Sequence, residues 1–417
     1  MKSKSIELKK NSYIINGNVF VCGSKSESNR LLIFRAIFPY NIYSIKNLSY
    51  SEDTHILHSV ILNNNWLIDV EHAGTAMRFF TAYCAIQSEK MFILKGSKRM
   101  HDRPIELLIE ALIKLGAHIE YIKDNGYPPI KVSGQSLEGG SLSIHSDISS
   151  QYISALLLIG STFELGMELE LSKKITSEPY ISMTVALLRN IGVSVYWKYN
   201  KISVIHEYKK LSIINIFAES DWSSASYYYS LAALSEQANI YLSKYNNKKS
   251  IQGDRALVDI YHHYLGVNTV FEKKGFRVKK NHLTKLPEIL EFDLNKCPDI
   301  AQTVALTCTG LKIRCLLIGL ETLKIKETDR IKSMLIELEK VGACVKQSEN
   351  SLEILHFKFF SRKSICIDTY QDHRMAMAFS TFSLHKQLII HNHQVVKKSY
   401  PAFWKDLKKL DFSIIEL

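Results

Sequence analysis

Twice in this chain an amphipathic helical pattern closes on Gly-Ala and passes directly into a strand. The first case is PIELLIEALIKLGA (104–117) followed by IEYI (119–122), and the second is TDRIKSMLIELEKVGACVKQ (328–347). Gly116 and Gly342 stand where a helix end favours a residue tolerant of positive φ. A strand-like MFILKGS (91–97) precedes the first case, and a β-like NVFVCG (18–23) leads into the helix-like SNRLLIFRAIF (28–38). Segments of period two alternating with segments of period 3.6 point to a mixed α/β (α+β) protein built on a β-α-β repeat. At 417 residues the chain exceeds the roughly 250–300 residues at which single cores stop growing, so two domains are expected. No Pro-, Ser- or Gly-rich linker separates them. The boundary is placed near Ala218 to Ser220, after SIINIF (212–217) and before DWSSAS.

Composition narrows the class. An apolar share of 46% with 23% charged residues is that of a globular protein with ample core. The opening MKSKSIELKKNS has no apolar stretch of signal-peptide length, and apolar runs such as Ala155 to Ile159 fall far short of the ~20 residues that span a bilayer. Secretion and membrane insertion are not expected, and a cytoplasmic protein is. The seven cysteines, Cys22, Cys84, Cys297, Cys308, Cys315, Cys344 and Cys366, are scattered and never form CxxC. They read as reduced, mostly buried thiols rather than a disulfide framework or zinc site. His262-His263 and His391-Asn-His393 also lack tetrahedral-site spacing, so no metal is expected. The net charge of +12 is spread from Lys2 to Lys409, with no more than short runs such as Lys9-Lys10, Lys248-Lys249 and Lys279-Lys280. That is the pattern of a solvated surface plus a basic pocket, and no aromatic-interleaved nucleic-acid motif accompanies it.

Several helix starts gather groups suited to anions. GSKSESNR (23–30) sets Lys25, Ser26 and Arg30 at the head of an apolar helix, where free backbone N–H groups and the helix dipole favour phosphate or carboxylate. Its glycine spacing is not that of a Walker A loop. HAGTAMRFF (72–80) offers Gly74, at which a ligand can approach the backbone closely, with Thr75 and Arg78. RMHDRPI (99–105) offers Arg99 and Arg103 before a Pro-started helix, and SDISSQYISALLLIG (146–160) offers Ser149, Ser150 and Gln151. Ser177 and Tyr180 repeat the pattern in SEPYISMTVALLRNIG (177–192). Taken singly, each is equally a capped surface helix.

Acid–base candidates fall in the C-terminal half. Asp299 in CPDIAQTVALTC precedes an apolar helix, and KIKETDRIKSM (324–334) packs Lys326, Glu327 and Arg330 together. Asp299 fits a general base or a dipole-stabilised carboxylate, and Glu327 would need burial or an adjacent anion to act as an acid. DHRMAMAFS (372–380) supplies Asp372, His373 and Arg374, and VKKSYPAFW (396–404) supplies Lys397 and Lys398. Met375 and Met377 read as core packing.

In their order and distances, GSKSESNR, AGTAMRF, RMHDRPI, SSQYISALLL, SEPYISMT, DWSSASYY, KETDRI, DHRMAMAF and KSYPAFW resemble the 5-enolpyruvylshikimate-3-phosphate synthase family, from about Gly17 to Leu410. The resemblance implies two similar domains, each of three β-α-β-α-β-β units around a pseudo-threefold axis, with residues 24–219 as one and 1–23 plus 220–417 as the other. It implies transfer of the enolpyruvyl group of phosphoenolpyruvate to the 5-hydroxyl of shikimate 3-phosphate by addition and elimination, in aromatic amino-acid biosynthesis, without metal or organic cofactor. A monomer that binds neither nucleic acid nor membrane is expected. Carried over by motif, shikimate 3-phosphate would meet Lys25, Ser26, Arg30, Ser149, Ser150, Gln151, Ser177, Asp299 and Lys326. Phosphoenolpyruvate would meet Lys25, Gly74, Arg103, Arg330, Arg374 and Lys398. Asp299 would be the base for the hydroxyl, Glu327 would deliver and remove the methylene proton, and His373 would support it.

The chain departs from the common family pattern at Cys22, His72, Phe79 and Thr322. His72 and Thr322 bear on individual substrate contacts, and Phe79 on how Gly74 meets phosphoenolpyruvate. Two other readings remain: the related enolpyruvyl transferase acting on UDP-N-acetylglucosamine, which lacks the SKSxSNR and DHRMAM pairing, and a basic RNA-binding module.

Overall fold

The computed structural model describes residues 4–63, 65–147, 149–205, 214–246, 250–358 and 363–417. Lys2, the Lys248-Lys249 run, residues 212–213 of SIINIF and the first three residues of the N-terminal segment lie outside the described residues. The chain divides into two units, Gly23–Ala218 and a discontinuous one formed by Met1–Cys22 with Glu219–Leu417.

Both units iterate one motif. In the 23–218 unit, strands Leu67–Asp69, Met91–Lys95, Ile130–Ser133 and His118–Tyr121 lie side by side in that order, the first pair parallel and the others antiparallel. Helices Gly74–Ala85 and Glu106–Lys114 connect them, giving β-α-β-α-β-β along the chain. The motif recurs over Gly140–Val204 with helices Ser150–Ile159 and Glu178–Asn190. A shorter version joins helices Lys25–Ile37 and Glu52–Leu62 to strand Ile42–Lys46, which pairs in parallel with Ile214–Phe217.

The other unit contains the motif three times. One copy starts from Ile14–Val19, whose parallel partner Gln237–Ser243 lies far along the sequence. Another spans Ile289–Phe357. In the last, strand Ser5–Lys9 lies between Gln387–His391 and Ser413–Glu416, antiparallel to both. The N-terminal segment thus supplies two strands to the C-terminal half.

Within each unit the first helices of the three repeats pack on one another: 25–37, 74–85 and 150–159 in one, 222–234, 301–311 and 373–380 in the other. Their composition follows from that position. A helix covered on every side must be apolar or have its polar side chains hydrogen-bonded; Trp222–Leu234 is buried at every residue but Ser223, with Gly74–Ala85 nearly so, and the hydroxyls of Ser224, Ser226, Ser230 and Thr81 are all paired. Met375 and Met377 are core residues, 0% and 1% exposed. Both Gly116 and Gly342 take positive φ, 101° and 96°. One element differs from its sequence pattern: the strand expected over 18–23 is Ile14–Val19. Val21 and Cys22 are buried all the same, and a buried connecting segment carries the same apolar signature as a strand. The cysteines are all free, five of them buried, with Cys344 half-buried and Cys366 exposed.

Candidate active site

In the 23–218 unit the candidate residues stand at the N-terminal ends of the inner helices. Ser24 caps helix 25–37 by accepting from the Glu27 amide, which places Lys25 and Ser26 in the first turn. The Lys25 ammonium donates to Asp53 Oδ2 at 2.8 Å, and that carboxylate is almost wholly buried. His72 Nε2 lies 3.6 Å from Glu52 and 3.8 Å from Asp53, so this departure from the family pattern borders the Lys25 pair.

Arg30, one turn further on, points inward. Its guanidinium donates to Thr184 Oγ1 (2.7 Å), Ser154 Oγ (3.0 Å) and the carbonyls of Ser26 and Tyr180, and it stacks 5.3 Å from the Phe79 ring centroid. Burial pulls its pKa down to about 10, with Tyr180 and Glu27 opposing. Arg30 therefore ties three helices together in this structure, and Phe79 serves as its stacking partner.

Gly74 opens helix 74–85 directly beneath the Arg103 guanidinium: a β-carbon at Gly74 would stand 2.5 Å from Arg103 Nη1. The loop carrying Arg103 is held by Arg78, which donates to the Pro104 carbonyl at 2.8 Å, and by the Tyr152 hydroxyl, which donates to the same oxygen at 2.6 Å. Arg103 is 7% exposed, and its Nε has no hydrogen-bond partner among the described residues. A buried cation left unpaired is poised for an anion. Ser149 caps helix 150–159, and Gln151 reaches Thr75 Oγ1 at 3.4 Å. Ser177 takes a left-handed conformation (φ 54°) at the start of helix 178–190. These residues put hydroxyl, amide and cationic donors around the helix termini, as polyanion binding requires.

The other unit concentrates carboxylates and cations. Arg330, 2% exposed, donates through Nε to Asp372 (2.7 Å), through Nη1 to Asp299 (3.0 Å) and through Nη2 to Glu327 (2.8 Å). Burial lowers its pKa, and the three carboxylates outweigh that, so the net shift is upward. Arg374 holds the second oxygen of Asp299 at 2.7 Å and its backbone carbonyl at 3.0 Å. Lys398 reaches the second oxygen of Glu327 at 3.1 Å. Each acid–base candidate is thus gripped by two cations, Asp299 by two arginines and Glu327 by an arginine and a lysine. His373 is buried, its Nδ1 3.8 Å from Asp372. Lys326 closes the 3-10 turn Glu321–Ile325, and the buried Thr322 Oγ1 in that turn has no partner among the described residues.

Reading the sequence missed three groups here, Asp53, Ser223 and Asp254, and the pairing of a fourth, Asp372, with Arg330. Asp53 and Asp372 neutralise Lys25 and Arg330, and both sit at helix starts where an acidic residue looks like a dipole partner. Ser223 and Asp254 lie beside Arg374, and Asp254 falls in a segment, IQGDRALVD, that matches no local chemical pattern.

The family model for EPSP synthase (3-phosphoshikimate 1-carboxyvinyltransferase) matches residues 58–407. A 3-phosphoshikimate 1-carboxyvinyltransferase of Bacteroides fragilis is 40% identical over 402 residues, covering 96% of each chain. The chain belongs to the EPSP synthase family. The enzyme of that name from Haemophilus ducreyi is 31% identical, covering 95% of this chain and 96% of its own. Among solved structures, EPSP synthase from Acinetobacter baumannii superimposes with a TM-score of 0.75 at 20% identity over 99% of this chain and all of its own. The enolpyruvyl transferase NikO from Streptomyces tendae gives 0.73 at 14% identity, over 100% of this chain and 99% of its own. The fold is therefore that of the EPSP synthases and related enolpyruvyl transferases. No helix among the described residues is long and apolar enough to cross a membrane.

Proposed function

We propose that this chain transfers the enolpyruvyl group of phosphoenolpyruvate to the 5-hydroxyl of shikimate 3-phosphate, releasing phosphate, in aromatic amino-acid biosynthesis. The observation that carries the reading is the paired grip on Asp299 and Glu327 by Arg330, Arg374 and Lys398 in a member of the EPSP synthase family. Both substrates carry a phosphate and a carboxylate, so fixed cations are a physical requirement.

In this reading Lys25, Ser26, Arg30, Ser149, Ser150, Gln151, Ser177, Asp299 and Lys326 are the ligands of shikimate 3-phosphate, and Arg30 also orders the helices that present the serines. Lys25, Arg103, Arg330, Arg374 and Lys398 hold phosphoenolpyruvate, whose entry beside Gly74 depends on the space that glycine leaves. Its anions compete with Asp299 and Glu327 for their cations. Glu327 protonates the methylene carbon, the 5-hydroxyl adds to the cationic carbon, and Asp299 takes the hydroxyl proton, with His373 in support. Glu327 then removes a methyl proton as the carbon–oxygen bond to phosphate breaks, and the departing phosphate takes up the proton held by Asp299. The protein works in the cytoplasm as a monomer, without nucleic acid and without a metal or organic cofactor.

Proton delivery to the methylene carbon is directly observable. In deuterated water with both substrates, proton NMR should show deuterium entering the methylene group of phosphoenolpyruvate, and none without shikimate 3-phosphate. Glu327→Gln should slow this exchange by about 10²–10⁴-fold while shikimate 3-phosphate still binds. Exchange that is absent in the native protein, or that survives the substitution while binding is lost, would contradict the assignment.

A further inference from the structure

Asp254 stands one hydrogen bond behind the proposed phosphoenolpyruvate site. It is the second residue of a short 3-10 turn, Gly253–Ala256, and is 3% exposed. Its Oδ2 accepts a hydrogen bond from Ser223 Oγ, and its Oδ1 is buried with no partner among the described residues. Ser223 belongs to the first turn of inner helix 222–234 and receives Arg374 Nη2 at 3.5 Å, the long end of hydrogen-bond range. The same Nη2 donates to Asp299 at 2.7 Å. Donation therefore runs in one direction, from Arg374 to Ser223 and from Ser223 to Asp254. Arg374 stands between two carboxyl groups, Asp299 directly and Asp254 through a hydroxyl.

On the reading of function above, we infer that Asp254 is a positioning residue that, through Ser223, orients Arg374 for phosphoenolpyruvate and shares its charge with Asp299. Leaving one oxygen of a buried carboxyl unpaired costs stability, so a compensating role is expected of it. When a substrate anion draws Arg374 away from Asp299, an ionised Asp254 keeps the Ser223 hydroxyl turned so that its lone pair still faces the guanidinium. The negative charge of Asp254 also favours proton capture by Asp299. Burial above all, then Asp299 and Asp221, raise the Asp254 carboxyl against the opposing pull of Arg374 and the Ser223 hydrogen bond, to about 7 in all. The Cys297 thiol also faces it, while Arg255 next in sequence is turned onto the rings of Trp222 and Phe271.

The test is the pH profile of kcat/KM for phosphoenolpyruvate in the native protein, Asp254→Asn, Ser223→Ala and the double variant. The native profile should rise through an ionisation near neutrality that all three variants lack. Each variant should lose about tenfold in kcat/KM for phosphoenolpyruvate, with the KM for shikimate 3-phosphate unchanged. The double variant should lose no more than either single one, because both residues act through one contact. Variant profiles that superimpose on the native one, or losses that add, would overturn the inference while leaving the reaction in place. Native protein without activity would overturn both readings. Ser223→Ala removes only a half-buried hydroxyl, so the comparison stands even if Asp254→Asn folds poorly.

Discussion

The residues of this site are organised by close approach and by competition for cations. Gly74 is glycine because Arg103 occupies the space above it: Gly74→Ala would set a β-carbon 2.5 Å from Nη1 and 2.9 Å from Cζ of that guanidinium. The arginine must shift, so the KM for phosphoenolpyruvate should rise by about tenfold with little change in melting temperature; an unchanged KM would mean that Arg103 does not hold that substrate. Asp254 makes a different prediction. Its folded pKa is raised to about 7 from an ordinary 3.8, so the unfolded chain ionises first as pH rises. Native stability attributable to this group is therefore full at low pH and is lost between about 4 and 7. Relative to the native protein, Asp254→Asn should melt higher at pH 8 than at pH 5, and a difference that does not change with pH would refute the shift. Residue types such as Lys25, Arg330 and Arg374 were legible in the sequence as candidate anion ligands. Their partners were not, because Asp53, Asp372 and Asp254 reach them only through tertiary packing. The inward turn of Arg30 was hidden for the same reason, since its acceptors Thr184 and Tyr180 lie some 150 residues away.

At the scale of elements, the Gly-Ala helix ends and the period-3.6 segments were readable because capping and amphipathicity are local. Helices 106–114, 150–159, 178–190 and 330–340 all fall within the segments that their patterns suggested, and helix 74–85 starts inside its segment, 72–80, and runs past it. What could not be read is which strands pair. Ser5–Lys9 is central in its sheet, flanked by strands from residues 387–391 and 413–416, and Ile6 and Leu8 are 1% and 0% exposed. Such long-range pairing leaves no local trace. Deleting residues 1–9 should accordingly strip amide protection from Gln387–His391 and Ser413–Glu416, measured by hydrogen exchange, while Ile130–Ser133 in the other unit keeps its protection. Protection unchanged in the C-terminal strands would contradict the assigned sheet.

Across the whole chain, the two-unit organisation rests on a repeated β-α-β-α-β-β motif and on an N-terminal segment that belongs with the C-terminal half. The net charge of +12 resolves into two parts. A small set, Arg30, Arg78, Arg103, Arg330, Arg374 and Lys398, is buried; most of the remainder is solvated lysine. The central claim is that these cations serve enolpyruvyl transfer between two polyanionic substrates. It is tested most directly by phosphate release from the purified, folded protein supplied with phosphoenolpyruvate and shikimate 3-phosphate. Release that requires both substrates together is the predicted result; release from phosphoenolpyruvate alone, or none with both present, would contradict it.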